Sequence, residues 1–414
     1  MKRCLPLTLV SLASLPGITL GALPLVDGSN YPDLFGAAGA VSVTTPIPGG
    51  SIAGIYLGGS NSGPVGSHWS VQASGGAVSG SNLVTEIRLL ETGAQVALTG
   101  SALEFNLTNP PGSLLGSLGV GLSVNLSWSA TAAFDSPGQA LTLQPNSVYR
   151  VKFDVDGGGG LLNSTLGIAP TFGVELLDGS GASISYSGGG TLANVLGLEL
   201  VEIIGAPAGS GTATAQFQTG SSVPAGAAGI RFTGSAALPA TALGIGTNFA
   251  TVSNLEVIYV DPYTLWIEDS GLTDPEDQQP DADPDGDGRT NFEEFAVATD
   301  PEVSDLTPVY VATGDPDGEG PETSVLVMTV PARAGAEFSE DDGDQVASQD
   351  GAGYRVEGSF QLIDWAEAVS EVAPNTTFAG SLPPLAAGWE YRSFRVPGQT
   401  SDTPKAFLRL IVNE

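Results

Sequence analysis

The sequence predicts a mainly β protein: an N-terminal antiparallel β-sandwich over 23–260, a short helix-loop-helix segment over 261–305, and a small C-terminal β domain over 306–414. Short apolar runs alternate with polar residues at period two, separated by Gly, Ser, Asn and Pro clusters. The charge also changes abruptly near residue 261. There are 13 acids and 4 bases in 23–260, against 32 acids and 7 bases in 261–414. At roughly 100 to 200 residues per domain, 414 residues leave room for two or three.

Residues 1–22 begin Met1-Lys2-Arg3, continue with an apolar run over 5–20, and end Gly21-Ala22. This charged, apolar, small-residue order is that of a secretory signal peptide, with cleavage expected near Ala22. A membrane anchor is the alternative. Against it, Pro6 and Pro16 interrupt a run already short for a bilayer.

Alternation in 148–155, 171–176, 212–219, 229–233 and 252–258 marks strands with one buried and one wet face. The stretches 83–90 and 192–204 carry apolar spacing compatible with helix, but their Gly and β-branched neighbours favour strand. The period changes at Asp261. That residue suits an N-cap, Pro262 suits the first helical position, and Tyr263, Trp266 and Ile267 share a face, so a helix should run to Ser270 and stop at Gly271. A second helix carries Phe292, Phe295 and Ala296 and should end at Asp300-Pro301, with its apolar face against the first. Strands resume at 308–312, 324–330, 353–358, 390–396 and 406–412. The acid-rich tract 337–350 is expected to be a solvated hairpin loop.

Composition excludes whole classes of function. The formal charge of −32 opposes binding to nucleic-acid phosphates or anionic lipid. Beyond residue 22 the only lysines are Lys152 and Lys405. Cys4 and His68 are the sole Cys and His, which removes disulfides, thiol catalysis and Cys/His zinc sites from consideration.

The most informative run is DPDGDGRTNFEE, from Asp283 to Glu294. A hard cation such as calcium takes six to eight oxygens, which a tight loop supplies from carboxylates at alternate positions, a Gly at the turn and a closing carboxylate. Asp283, Asp285 and Asp287 stand at positions 1, 3 and 5, Gly288 at 6, the Arg289 carbonyl at 7, Asn291 at 9 and Glu294 at 12. Glu293, at position 11, should point away. The competing reading is an acidic linker without metal.

This run, continued through Phe295 to Ala298-Thr299-Asp300-Pro301, resembles the bacterial thrombospondin type 3 repeat, a calcium-binding module of secreted and cell-surface proteins, similar in loop chemistry to EF-hands and dockerins. The resemblance implies Ca²⁺ held by Asp283, Asp285, Asp287, Arg289, Asn291 and Glu294. One clear copy is present; the run from Asp315 to Gly320 is too incomplete to count as a second. The helix-loop arrangement and the tail, with Asp364-Trp365 and 407–410, also resemble the C-terminal region of many exported bacterial proteins. The N-terminal domain, in 148–155 and 248–257, resembles jelly-roll carbohydrate-binding modules.

Other residues carry weaker signals. His68-Trp69 is a sugar-stacking or catalytic pair, or a filler of surface or core. Trp69, Trp128, Tyr56 and Tyr186 form either an aromatic platform for a sugar face or core packing. Asp154, Asp156, Glu175 and Glu256 should lie on wet faces, scattered rather than paired as a glycosidase requires. The sequence thus points to an exported or cell-surface, calcium-binding, non-enzymatic protein with no membrane span in the mature chain, binding a glycan or surface partner in adhesion. The alternative is an extracellular polysaccharide-degrading enzyme. N-terminal sequencing of exported protein should begin near Leu23; finding Met1 there rejects cleavage.

Overall fold

A computed structural model describes residues 23–36, 38–44, 59–78, 93–108, 123–156, 171–187, 210–239, 248–304, 308–315, 324–374, 382–398 and 405–413. The protein is mainly β, built of antiparallel sheets, with two helices among the described residues. The segments 1–22, 83–90 and 192–204, Tyr56, and 316–320 of the incomplete second run lie outside the described residues. The chain divides into two compact units, Ala22–Val260 and Asp261–Glu414.

The first unit contains β1 (Leu23–Val26), β2 (Gly39–Thr44), β3 (Gly59–Val65), β4 (Trp69–Val78), β5 (Gly93–Leu98), β6 (Leu103–Thr108), β7 (Ser123–Ala133), β8 (Val148–Asp156), β9 (Thr171–Leu177), β10 (Ser185–Tyr186), β11 (Ser210–Gln218), β12 (Gly229–Pro239) and β13 (Asn248–Val260). One sheet is ordered β10-β11-β8-β13-β6-β5-β2, with β1 also on β13; the other is ordered β3-β4-β7-β12-β9. Alternation decides which side chains enter the core. On β8, Tyr149, Val151, Phe153 and Val155 are buried, whereas Lys152 and Asp156 are exposed. Val252 and Leu255 are three residues apart yet both buried. A register shift between Ser253 and Glu256, with Asn254 left-handed (φ 51°), resets the phase.

Side chains from both sheets meet in one cluster. Phe105 of β6 meets Phe172 of β9 edge-on at 5.5 Å, and Phe153 of β8 meets Phe232 of β12 at 5.0 Å. Trp128 of β7 stacks on Phe249 of β13 at 4.6 Å. Gly234 of β12 makes room for that pair, since a Cβ there would lie 2.9 Å from the Phe249 ring.

The second unit starts with α1 (Pro262–Asp269), capped by Asp261, whose carboxylate accepts from the Thr264 amide. α2 (Asn291–Val297) follows the acidic loop. Tyr263 and Trp266 of α1 pack on Phe295 of α2, each at 5.6 Å. α2 stops at Ala298, which is left-handed (φ 59°), ahead of the expected Asp300-Pro301 end.

The rest forms two four-stranded sheets. One joins β14 (Tyr310–Gly314), β15 (Val325–Arg333), β20 (Trp389–Arg395) and β19 (Ser370–Val372), and the other β16 (Ser339–Asp341), β17 (Asp344–Gln349), β18 (Ala352–Ser359) and β21 (Phe407–Asn413). The acidic tract 337–350, expected as a solvated loop, is instead mostly strand. Asp342-Gly343 and Asp350-Gly351 each place two successive residues at positive φ, as a two-residue hairpin turn requires, so the chain reverses twice within eleven residues.

α2 belongs to the core of this unit, where Phe292, Phe295, Ala296 and Val297 cluster with Ala332, Ala352 and Tyr354. A helix leaves its last carbonyls without intrahelical partners. Here the Tyr354 hydroxyl donates to the Ala296 carbonyl (2.9 Å) and the Trp389 indole N–H to the Phe295 carbonyl (2.8 Å). The same hydroxyl accepts from the Arg333 amide at 3.0 Å, and burial pushes its pKa up to about 12. Tyr354→Phe leaves a buried donor and a buried acceptor unmatched. It should cost about 1 to 3 kcal/mol, read as a lower denaturant midpoint at unchanged slope.

Candidate metal centre

The acidic loop owes its shape to its own side chains. Asp283 accepts from the amides of Gly286 (2.9 Å) and Gly288 (3.0 Å), Asp285 from that of Asp287 (3.0 Å), and Asp287 from that of Arg289 (2.9 Å). These turns need left-handed backbone at Gly286 (φ 75°) and Gly288 (φ 95°), where a side chain would be strained. Carboxylate oxygens of Asp283, Asp285 and Asp287 thereby lie within 4.8 Å of one another. Three anions so close repel unless a cation neutralises them.

Asn291, the first residue of α2, is fully buried. Its Nδ2 donates to the carbonyls of Asp277 (2.7 Å) and Gln279 (2.8 Å), and its amide to that of Ala282 (2.8 Å), pinning the entering chain over the helix. Its Oδ1 has no partner. Among the described residues three buried side-chain polar atoms are unmatched, and two belong to this loop: Asp285 Oδ2 and Asn291 Oδ1. Both are oxygens, the ligand type a hard cation takes.

Glu294 is 1% exposed and is not part of the Asp triplet. Its Oε1 accepts from the Thr299 hydroxyl at 3.2 Å and lies 3.7 Å from Arg289 Nη2. Burial pushes its carboxyl up to about 8, with Asp285 and Asp287 adding to the rise and Thr299 and Arg289 opposing it. Glu293 closes a capping box: its Oε2 accepts from the Thr290 amide (3.0 Å) while the Thr290 hydroxyl accepts from its own (3.2 Å). The signal was legible as Thr290 three residues before a Glu. The Arg289 side chain was missed, because the loop pattern assigns that position a carbonyl role alone.

The other candidates separate cleanly. Trp69 and Trp128 are 2% exposed, with indole N–H groups donating to the Leu34 and Asn106 carbonyls. They are core residues and cannot serve a sugar platform; Tyr56 lies outside the described residues. His68, with an 8% exposed side chain, lies 3.0 Å from Asp33 and edge-on to Tyr31, filling a niche beneath the 27–36 loop. Glu175 sits on the five-stranded sheet with Arg231 and Ser183. Asp154 and Glu256 sit on the other sheet, with Thr212 and Asn254, and with Lys152, respectively. Hydrogen bonds hold the Asp154 carboxyl below its ordinary range, and Arg231 does the same for Glu175. Among the described residues no helix is long and apolar enough to cross a membrane.

No family model matches the chain, and no curated protein matches it.

In metal-free protein, folded Glu294 keeps a proton that the unfolded chain, with its carboxyl near 4.5, has released. Stability should therefore fall as pH rises through that interval and level off above about 8. Melting in chelator from about pH 5 to 8 should show this slope, and Glu294→Gln should flatten it.

Proposed function

We propose that the protein is an exported, non-enzymatic calcium-binding protein in which the ion stabilises the Asp261–Glu414 unit. The observation that carries this is the coincidence of a clustered Asp triplet with two buried, unmatched oxygens in the same loop. Asp283, Asp285, Asp287 and Glu294 would supply charged oxygens, Arg289 its carbonyl, and Asn291 its Oδ1 directly or through water. Such an ion supplies charge neutralisation alone and performs no chemistry. Because α2 begins within the loop and shares a core with the strands, a neutralised loop favours the whole unit.

For the Ala22–Val260 unit we propose a jelly-roll-like sandwich directed at an extracellular or cell-surface partner. Support for a non-enzymatic role comes from its acids. Glu175 is on a different sheet from Asp154 and Glu256, and the carboxyls of Asp154 and Glu175 are lowered, whereas a glycosidase general acid needs a raised one facing its partner.

Extracellular loops of this class bind at about 10⁻⁴ to 10⁻³ M. Free calcium a hundredfold above the dissociation constant should add about 2.7 kcal/mol to stability. Glu294→Gln should weaken binding by about tenfold or more, the loss of one charged ligand, while Glu293→Gln preserves the cap and leaves affinity unchanged. Calorimetric titration and melting curves decide the matter: indifference to chelator, or equal behaviour of the two variants, rejects calcium.

A further inference from the structure

We propose, on the premise that the loop takes calcium, that the Arg289 side chain is a built-in counter-cation that competes with the ion for Asp287 and Glu294, and so sets the loop's affinity. The guanidinium folds back into its own loop and is only 14% exposed. Nη2 lies 2.5 Å from Asp287 Oδ2 and 3.7 Å from Glu294 Oε1; Nε donates to Asp287 Oδ2 (3.2 Å) and Nη1 to the Thr299 hydroxyl (3.2 Å). The residue thus plays two opposed parts. Its carbonyl stands at a ligand position, while its side chain bonds the carboxylate of position 5 and stands 3.7 Å from that of position 12.

A guanidinium and a divalent ion cannot share these oxygens at such range, because the two cations repel. Calcium entry therefore requires Arg289 to swing out, breaking charge-assisted hydrogen bonds that are stronger than neutral ones. Their loss offsets part of the binding energy. The closed loop nevertheless remains unsatisfied, since Asp285 Oδ2 and Asn291 Oδ1 gain nothing from the guanidinium. Arg289 is thus a positioning residue that holds the loop shut without the ion, at the expense of weaker binding.

The test compares wild-type full-length protein with Arg289→Gln and Arg289→Lys, by calorimetric calcium titration and by melting in chelator and in calcium. The Gln variant should bind calcium about tenfold or more tightly, as loss of a charge-assisted contact predicts. It should melt lower than wild type in chelator and level with it in calcium. The Lys variant keeps the charge but cannot reproduce the guanidinium's simultaneous donation to Asp287 and Thr299, and should fall between. If wild type binds calcium and the Gln variant binds equally or more weakly, competition is overturned while the calcium site stands. A Lys variant equal to wild type, with the Gln variant tighter, also supports competition and assigns it to the charge rather than to the guanidinium's fork. If no variant binds, the calcium reading itself fails and carries this inference with it. Should the Gln variant be unfolded in chelator, its refolding on calcium addition supplies the affinity.

Discussion

Asp283, Asp285 and Asp287 are gathered in the loop that leads into a seven-residue helix, Glu294 of that helix is buried where Asp285 and Asp287 act on it, and repulsion among these carboxylates is the main electrostatic constraint on the Asp261–Glu414 unit. Local hydrogen bonds shape the loop but remove no charge, because each amide that donates to an Asp is neutral. Two means of relief are built in: Glu294 holds a proton by virtue of burial, and Arg289 lays its guanidinium between Asp287 and Glu294. Each is partial. The unmatched Asp285 and Asn291 oxygens mark what a bound cation would complete.

The loop matters to the rest of its unit through α2. A helix of two turns is too short to hold itself together in water, and this one persists because its ends are satisfied from outside the hydrogen-bonded ladder. Thr290 and Glu293 cap the start. At the finish the Thr299 amide donates to the Glu294 carbonyl, Trp389 caps the Phe295 carbonyl and Tyr354 caps that of Ala296. Arg333 joins them, its guanidinium 4.6 Å from the Phe295 ring centre and 4.2 Å from that of Trp389, with its charge paired to Asp350. Displacement of α2 would therefore disturb β15, β18 and β20 together.

The Ala22–Val260 unit follows a different rule, with apolar burial dominating and charge almost incidental. Its sheets are joined by aromatic rings meeting across the core, Trp128 on Phe249 among them, and its other tryptophan, Trp69, packs in the same core on Phe35 and Phe232. Their indole N–H groups still need acceptors, and each finds a carbonyl. A polar tip on a large ring thus misleads a reading made from composition: Trp in a Gly- and Ser-rich neighbourhood looks like a surface residue until its strand register is known.

Period-two alternation determined the strands 148–155, 212–219 and 229–233, because each such residue chooses its face from its immediate neighbours. Capping chemistry did the same for α1, from Asp261-Pro262 to Gly271, and the spacing of Asp283, Asp285, Asp287 and Gly288 determined the loop's turns, since all those hydrogen bonds span five residues or fewer. The Asp-Gly turns of the acidic tract were equally local and were outweighed by its charge. What only the tertiary structure decided depends on partners far along the chain. Tyr354 is 58 residues from Ala296 and Trp389 is 94 from Phe295. The burial that raises Glu294, and the burial of Trp69 and Trp128, come from residues packed around them in space. Sequence spacing carries no record of such contacts, because they form only when the sheets and helices have already closed over one another.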